Sequence, residues 1–199
     1  MRRLLQERLA TRLIRRLDLV LTVKRMREEP QHKSTPTVPY VLEDGEGESI
    51  RWFGDTITVK NAGPTFDVAV ITAVTGSEPP LHVHEGADEA LFVLEGALTL
   101  YAGDHTLPAG AGAFVFLPRG IPHSFAVDSG SARLLLIVAP SGVLAMFSEV
   151  EERVGPREMP ARPRQKDIAA VAHQLEKHGM RLAGPNPRHP EPNGHCPHA

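Results

Sequence analysis

Three side chains that can bind a metal ion, His82, His84 and Glu89, fall within one short stretch of the sequence. The two histidines are two positions apart, so on a β-strand both imidazoles point to the same face. Residues 85–88 have the composition of a tight turn. The apolar run at 91–94 then predicts a second strand, which would carry the Glu89 carboxylate back toward the histidines.

A third histidine follows another predicted strand. The run 112–117 leads into a turn rich in proline and glycine, and His123 comes directly after that turn. Three imidazoles and one carboxylate suit Fe, Mn, Ni, Cu or Zn better than Mg or Ca, so we expect one divalent transition metal. The four predicted metal ligands are His82, His84, Glu89 and His123. Glu85 is the alternative carboxylate ligand if Glu89 faces away.

The spacing of these residues resembles the two sequence motifs of the cupin superfamily. The first motif is matched at all of its positions, which are Gly76, His82, His84, Glu89 and Gly96. The second motif is matched at Gly112, Pro118, Gly120 and His123. Val127 stands where the family usually has asparagine, which makes the interior at that position more apolar. The resemblance implies a metal-binding jelly-roll barrel.

Within the cupins, a single barrel followed by helices resembles the bacterial quercetin 2,3-dioxygenase-like group. That resemblance implies a divalent metal held by the three histidines and the glutamate, with O₂ as a second substrate. It also implies a further, catalytic role for Glu89, as the base that deprotonates the organic substrate before oxygen is added. We therefore expect a metal-dependent cupin that acts on a small organic molecule, and most specifically a dioxygenase.

Two other functions remain open from the same residues. A metal with open coordination positions can bind an enolate or phenolate and lower its pKa, which would serve either oxygenation or isomerisation. The first alternative is a non-catalytic, small-molecule-binding or regulatory cupin, and the second is a sugar or keto-acid isomerase. A sugar-phosphate enzyme needs cations beside the metal. The main candidates in the barrel are Arg51, Lys60, Arg119 and Arg133.

Apolar side chains near the ligands are candidates for a substrate-binding wall. The four candidates are Phe125, Val127, Met146 and Phe147. The first two share strand parity with His123 and should face the same interior, whereas the last two come from a predicted helix after the barrel. Phe92 lies three positions after Glu89, so it should face the other way, toward a second layer or a dimer interface.

Short apolar segments separated by turn residues predict ten strands between residues 50 and 139. We therefore expect an all-β fold, and the resemblance implies the double-stranded β-helix of a cupin. Residues 95 and 96 are typical of a hairpin turn, and a further hairpin fits between the motifs. Four regions are predicted along the chain: a basic amphipathic helix and linker at 1–39, the barrel at 40–140, C-terminal helices packed on the barrel at 141–183, and a disordered tail at 184–199.

The charge of the chain is unevenly distributed. Residues 1–27 carry +7 and the remaining residues −9, which gives the formal net charge of −2. An acidic barrel gives no indication of nucleic-acid binding. No apolar run is long enough to cross a membrane, so we expect a cytoplasmic protein with no membrane partner. We also expect a homodimer, because cupins are commonly dimeric.

Leucine recurs at every fourth position near the N-terminus, with arginines between, and predicts an amphipathic helix over residues 2–27. Such a helix suits a membrane surface, a transit-type presequence or a partner protein. It is equally explained as a mobile extension, or as upstream sequence translated from a start earlier than Met26.

Overall fold

The computed structural model of the chain describes residues 38–52, 54–145, 154–155, 172 and 175–190. All of them belong to the second of the two units into which the chain divides, Thr35–Ala199. The amphipathic helix predicted over residues 2–27 lies outside the described residues, as do Met146 and Phe147. Within the described ranges, no helix has the length and hydropathy that a membrane span requires.

The described fold consists of antiparallel strands in two sheets. In chain order the strands are β1 (Glu48–Trp52), β2 (Asp55–Ala62), β3 (Asp67–Val74), β4 (Leu81–His84), β5 (Asp88–Glu95), β6 (Ala97–Ala102), β7 (His105–Gly110), β8 (Phe114–Leu117), β9 (His123–Val127), β10 (Ser131–Ala139) and β11 (Met180–Gly184). One sheet has the order β1-β2-β3-β10-β5-β8 and the other the order β11-β4-β9-β6-β7. The predicted all-β jelly roll is confirmed.

Alternation of apolar residues along the strands places the core between the sheets. On β10 every second residue is buried, namely Ala132, Leu134, Leu136 and Val138. On β6, in the other sheet, the same pattern buries Leu98, Leu100 and Ala102, and all of these residues belong to one apolar cluster. Because the side-chain period of a strand is two, a slip of one residue would turn each set outward, so this pattern fixes the register.

Phe92 lies on the opposite face of β5 from Glu89, as strand parity predicts. Its side chain is 39% exposed, and it is paired in register with Phe114 of β8, which is 65% exposed. Phe116 shares the outer face of β8 and is also exposed. These aromatic rings therefore lie on the outer surface of the six-stranded sheet, and the homodimer stays a prediction.

The turn at Gly96 is not the predicted hairpin. β5 pairs with β10 and β8 in one sheet, whereas β6 pairs with β9 and β7 in the other, so the turn carries the chain between sheets. Gly96 has a φ of 83°, and a Cβ there would lie 2.4 Å from the backbone oxygen of Ser131. Only glycine suits this corner. The second predicted hairpin is confirmed, since β6 and β7 pair in register throughout.

The C-terminal region contains a strand where the sequence predicted helices followed by a disordered tail. β11 pairs antiparallel with β4, and Asn186, two residues beyond it, is buried. Residues 175–177 are helical and belong to the predicted last helix, most of which lies outside the described residues. Only Met180 and Leu182 turn inward from β11, and two apolar residues give too weak an alternation to predict a strand.

Candidate metal centre

Strands from both sheets contribute the predicted ligands. β4 carries His82 and His84, and β9 carries His123, all in the five-stranded sheet. Glu89 is on β5, in the six-stranded sheet. His82 and His123 are direct register partners in the β4–β9 pair. The four side chains therefore meet between the two sheets, inside the barrel.

The donor atoms form a tight cluster. One donor atom from each of the four residues lies within 4.8 Å of every other. Glu89 Oε2 is 3.0 Å from His84 Nε2 and 3.6 Å from His123 Nε2. Atoms this close can all bind one cation, since zinc, for example, takes nitrogen and oxygen ligands at roughly 2.0–2.2 Å.

Hydrogen bonds orient two of the imidazoles. His82 Nδ1 is 2.9 Å from the carbonyl oxygen of Pro80, and His123 Nδ1 is 2.8 Å from that of Ile121. A carbonyl oxygen only accepts, so each Nδ1 must carry the proton. In the neutral ring the lone pair is then on Nε2, the nitrogen available for a metal.

Buried nitrogen atoms in the cluster lack hydrogen bonds. Three nitrogen atoms of the cluster are buried without a hydrogen-bond partner among the described residues: His84 Nδ1, His84 Nε2 and His123 Nε2. His84 Nε2 has none although Glu89 Oε2 is 3.0 Å away. Leaving a buried polar atom unsatisfied costs about 1–3 kcal/mol. A cation bound by both Nε2 atoms would remove this cost at those two atoms, so the donor set fits a divalent transition metal.

The charges of the cluster also suit a metal. Burial, followed by the repulsion from His123 and His84, lowers the pKa of the His82 imidazole to about 3, which keeps that ring neutral. Burial alone would raise the pKa of the Glu89 carboxyl, but the His123 and His84 imidazoles outweigh it and hold this pKa well below its ordinary value. Burial likewise opposes protonation of His123, yet the nearby Glu89 carboxylate raises its pKa. The ionised Glu89 carboxylate would supply the one anionic ligand of a cation held by these four side chains.

The two other acids of the β4–β5 turn do not join the cluster. Glu85 is exposed and pairs with Arg181, whose Nε is 3.0 Å from Glu85 Oε1. Asp88 accepts two side-chain hydrogen bonds and one backbone hydrogen bond from Arg119, and these hold the pKa of its carboxyl at about 2. The carboxylate at the site is therefore that of Glu89, and the alternative ligand Glu85 is directed elsewhere.

Apolar side chains flank the donor atoms. Register partners on neighbouring strands share a face of the sheet, so the residues paired with the ligands line the same interior. These partners are Met180 and Leu182 on β11, Ala102 on β6, Leu117 on β8 and Val138 on β10. Met180 and Leu182 could not be recognised from the sequence, because the apolar pattern of β11 is too weak to predict a strand. None of the five carries a charge.

Phe125 and Val127 lie farther along β9 from the cluster. Both are buried, and both share the inner face of β9 with His123. Their register partners on β6 are Leu100 and Leu98, so their immediate surroundings are the apolar core. Contact with a substrate stays a prediction for these two residues, as it does for Met146 and Phe147.

Comparison with known proteins adds a family match. Residues 69–138 match the family model described as a cupin domain. Quercetin 2,3-dioxygenase of Bacillus subtilis (strain 168) is 29% identical over 117 residues, which cover 57% of this chain and 35% of that protein. The chain therefore spans about a third of the length of this curated relative.

Two solved structures are similar to parts of the chain. KdgF from Halomonas sp. covers 52% of this chain and 94% of its own, with 14% identity and a TM-score of 0.48. A sugar phosphate isomerase of the cupin superfamily from Silicibacter pomeroyi covers 45% of this chain and 61% of its own, with 24% identity and a TM-score of 0.41. These TM-scores are too low for either structure to bear on function.

Proposed function

Because residues 69–138 of this chain form a domain of the cupin superfamily, we propose that the protein is a metal-dependent dioxygenase that acts on a small, largely apolar organic molecule. The observation that carries the proposal is the meeting of three imidazoles and one carboxylate in an apolar interior. The 29% identity to a quercetin 2,3-dioxygenase supports the choice of reaction over the part of the chain that it covers.

The donor set determines which substrates would be attracted. A divalent metal held by His82, His84, Glu89 and His123 would supply Lewis acidity to a substrate oxygen. Three neutral imidazoles and one carboxylate leave such a site with a net charge of about +1. An uncompensated positive charge in an apolar interior favours a ligand that binds as a monoanion, such as an enolate or a phenolate.

Glu89 is the residue we assign as the base. The neighbouring imidazoles hold the pKa of its carboxyl well below the ordinary value, so it is ionised at neutral pH and can accept a proton. A carboxylate with so low a pKa is a weak base, and it deprotonates efficiently only a hydroxyl group that is itself acidic. Flavonols, β-diketones and catechols offer such groups beside a second oxygen.

The walls of the site favour an apolar substrate over a sugar phosphate. Met180 and Leu182 are paired in register with the two histidines of β4, and we propose that they line the substrate site together with the predicted residues. The cations that a phosphate would need have partners of their own. Two of them form ion pairs, Arg119 with Asp88 and Arg133 with Asp44 and Glu95. The other two donate hydrogen bonds to backbone carbonyl oxygens, Lys60 to those of Glu43 and Glu46 and Arg51 to that of Gly54.

A non-catalytic, small-molecule-binding cupin is the second candidate. The same donor set supports it, since four side chains that can hold a metal need not turn a substrate over. In that case the metal would orient a ligand without turnover, and ligand binding would occur with no consumption of O₂.

The test is a screen of the metal-loaded protein against flavonols, β-diketones and catechols, with an oxygen electrode. We expect O₂ uptake that matches substrate loss, and both atoms of ¹⁸O₂ in the product. The His123→Ala variant is the matched control and should consume no O₂. Binding of a compound to the loaded protein without O₂ uptake for any of the three classes would contradict the dioxygenase and support the binding cupin.

A further inference from the structure

The pairing that brings His82 beside His123 is the shortest in the described part of the chain. β4 and β9 share a single pair of register partners, which is His82 with His123 itself. By contrast, β10 and β3 are in register over the whole range 131–138. The segment that enters β4 begins with Pro79 and Pro80, which have no backbone N–H to donate to a ladder. Backbone hydrogen bonds alone therefore hold the two ligand-bearing strands together weakly.

A buried side chain from beyond β11 bridges these two strands. Asn186 Nδ2 is 2.9 Å from the carbonyl oxygen of Pro79, 2.9 Å from Ser124 Oγ and 2.8 Å from the carbonyl oxygen of Phe125. The backbone N–H of Arg188 donates to Asn186 Oδ1 at 3.0 Å, which fixes the orientation of the amide. Asn186 is only 5% exposed, so these bonds are shielded from water.

Two of the three acceptors of this amide, Pro79 and Ser124, lie next to a metal ligand or to the residue that orients one. Ser124 follows His123 directly, and its Oγ donates in turn to the Pro79 carbonyl at 2.8 Å. Pro79 precedes Pro80, whose carbonyl oxygen accepts the hydrogen bond from His82 Nδ1. A path of hydrogen bonds and of the short segments Pro79–Pro80 and His123–Ser124 thus connects Asn186 to the ring of His82 and to the backbone of His123.

We propose that Asn186 is a positioning residue for the metal centre: it holds β4 against β9 and thereby sets the separation of His82 and His123. The amide replaces the ladder hydrogen bonds that the two prolines cannot make. This inference rests on the proposed metal centre and is independent of the substrate and the reaction.

The test compares Asn186→Ala with the unsubstituted chain in titrations with Co²⁺, followed by the visible d–d absorption. Removal of a hydrogen-bonding partner behind the ligands typically weakens metal binding 10–100-fold, so we expect a loss of about tenfold or more. We also expect a changed d–d spectrum, because the ligand geometry relaxes. A loss of packing alone would lower the melting temperature of the apoprotein and leave the spectrum of the cobalt complex unchanged.

Two further variants keep the inference testable. Arg188→Ala, in the same segment, removes the exposed ion pair with Asp128 and should bind Co²⁺ like the unsubstituted chain. If Asn186→Ala does not fold, Ser124→Ala removes the next link of the path and should weaken binding in the same direction. A folded Asn186→Ala or Ser124→Ala variant with unchanged affinity and spectrum would overturn the inference. Absence of Co²⁺ binding by the unsubstituted protein would overturn the metal centre together with it.

Discussion

Two of the groups of ionisable side chains that the described part of the barrel buries differ in how their polar atoms are satisfied. At the candidate metal centre, the buried Nε2 atoms of His84 and His123 have no hydrogen-bond partner among the described residues. In the second group, Glu78 accepts hydrogen bonds from the backbone N–H groups of Gly76 and Val127, at 2.7 and 2.9 Å. Asp55, also in that group, lies 2.5 Å from Ser77 Oγ.

This difference is the one we expect between the proposed ligand site and a structural site. A carboxylate whose oxygens accept backbone hydrogen bonds fixes the backbone around it. The Glu78 carboxylate in this way connects the segment before β4 to the end of β9. Unsatisfied imidazoles lower the stability of the ligand-free protein. Native proteins retain such buried polar atoms where a bound ligand satisfies them. Both groups are buried, so burial alone would not have distinguished them. If the two groups have separate roles, a change at one should leave the other intact.

The largest effect is expected from removal of a histidine at the metal centre. His82→Ala and His123→Ala should each lose stoichiometric metal, because a ligand bond is lost. The melting temperature of the apoprotein should change little, since His123→Ala also removes an unsatisfied buried nitrogen. Elemental analysis and thermal unfolding measure the two effects. His105→Ala, an exposed histidine on β7, is the control. Full metal occupancy in both variants would refute the ligand assignment.

The next effect concerns the carboxylate of the same group. Glu89→Gln keeps an oxygen that can bind the metal but removes the basic carboxylate, so some metal should remain while turnover falls about 10²–10⁴-fold. Steady-state O₂ uptake by the metal-loaded variant gives the rate, and elemental analysis gives the occupancy. A rate equal to that of the unsubstituted protein would rule out Glu89 as the base.

The ligand strands of the centre could be predicted from the sequence because local patterns determine them. His82 and His84 share strand parity, and Glu89 opens an apolar alternation that buries it on the inner face of β5. The glycines at 76, 96, 112 and 120 all have positive φ, which explains why glycine recurs at the turns of both motifs. Side-chain period and turn chemistry are local properties, and a single sequence carries them.

The change of sheet at Gly96, strand β11 and the role of Asn186 depend on contacts between distant residues, which local patterns do not encode. Gly96 looked like a hairpin turn, but whether a turn joins strands of one sheet or of two depends on which partners the strands find. β11 was missed because its pairing with β4 stabilises it more than its own composition does. Asn186 was missed for the same reason, since its acceptors lie more than sixty residues away in the sequence.

A smaller effect, on stability alone, is expected at the second group. Glu78→Gln leaves one of the two backbone N–H groups facing an amide NH₂ instead of an oxygen, which should cost about 1–3 kcal/mol of unfolding free energy. Chemical denaturation measures the loss, and Glu176→Gln, an exposed glutamate, is the control. Metal affinity should be unchanged. A tenfold loss of metal affinity in Glu78→Gln would show that this group and the candidate metal centre are coupled, and would contradict their separate roles.

The smallest effect is a change in how stability depends on pH. Burial, together with the nearby charge of Glu78, raises the pKa of Asp55 well above its ordinary value. As the pH rises above about 3.9, the unfolded chain releases the Asp55 proton while the folded protein retains it. Because the folded state then binds more protons than the unfolded state, Asp55 lowers the unfolding free energy as the pH rises from there to its pKa in the folded protein. Asp55→Asn removes this penalty and should stabilise the protein at pH 8 relative to the unsubstituted chain, with a smaller gain at pH 4. Urea denaturation at the two pH values measures the difference in unfolding free energy between the variant and the unsubstituted chain. An equal difference at both would show that the surroundings of Asp55 do not shift the pKa of its carboxyl.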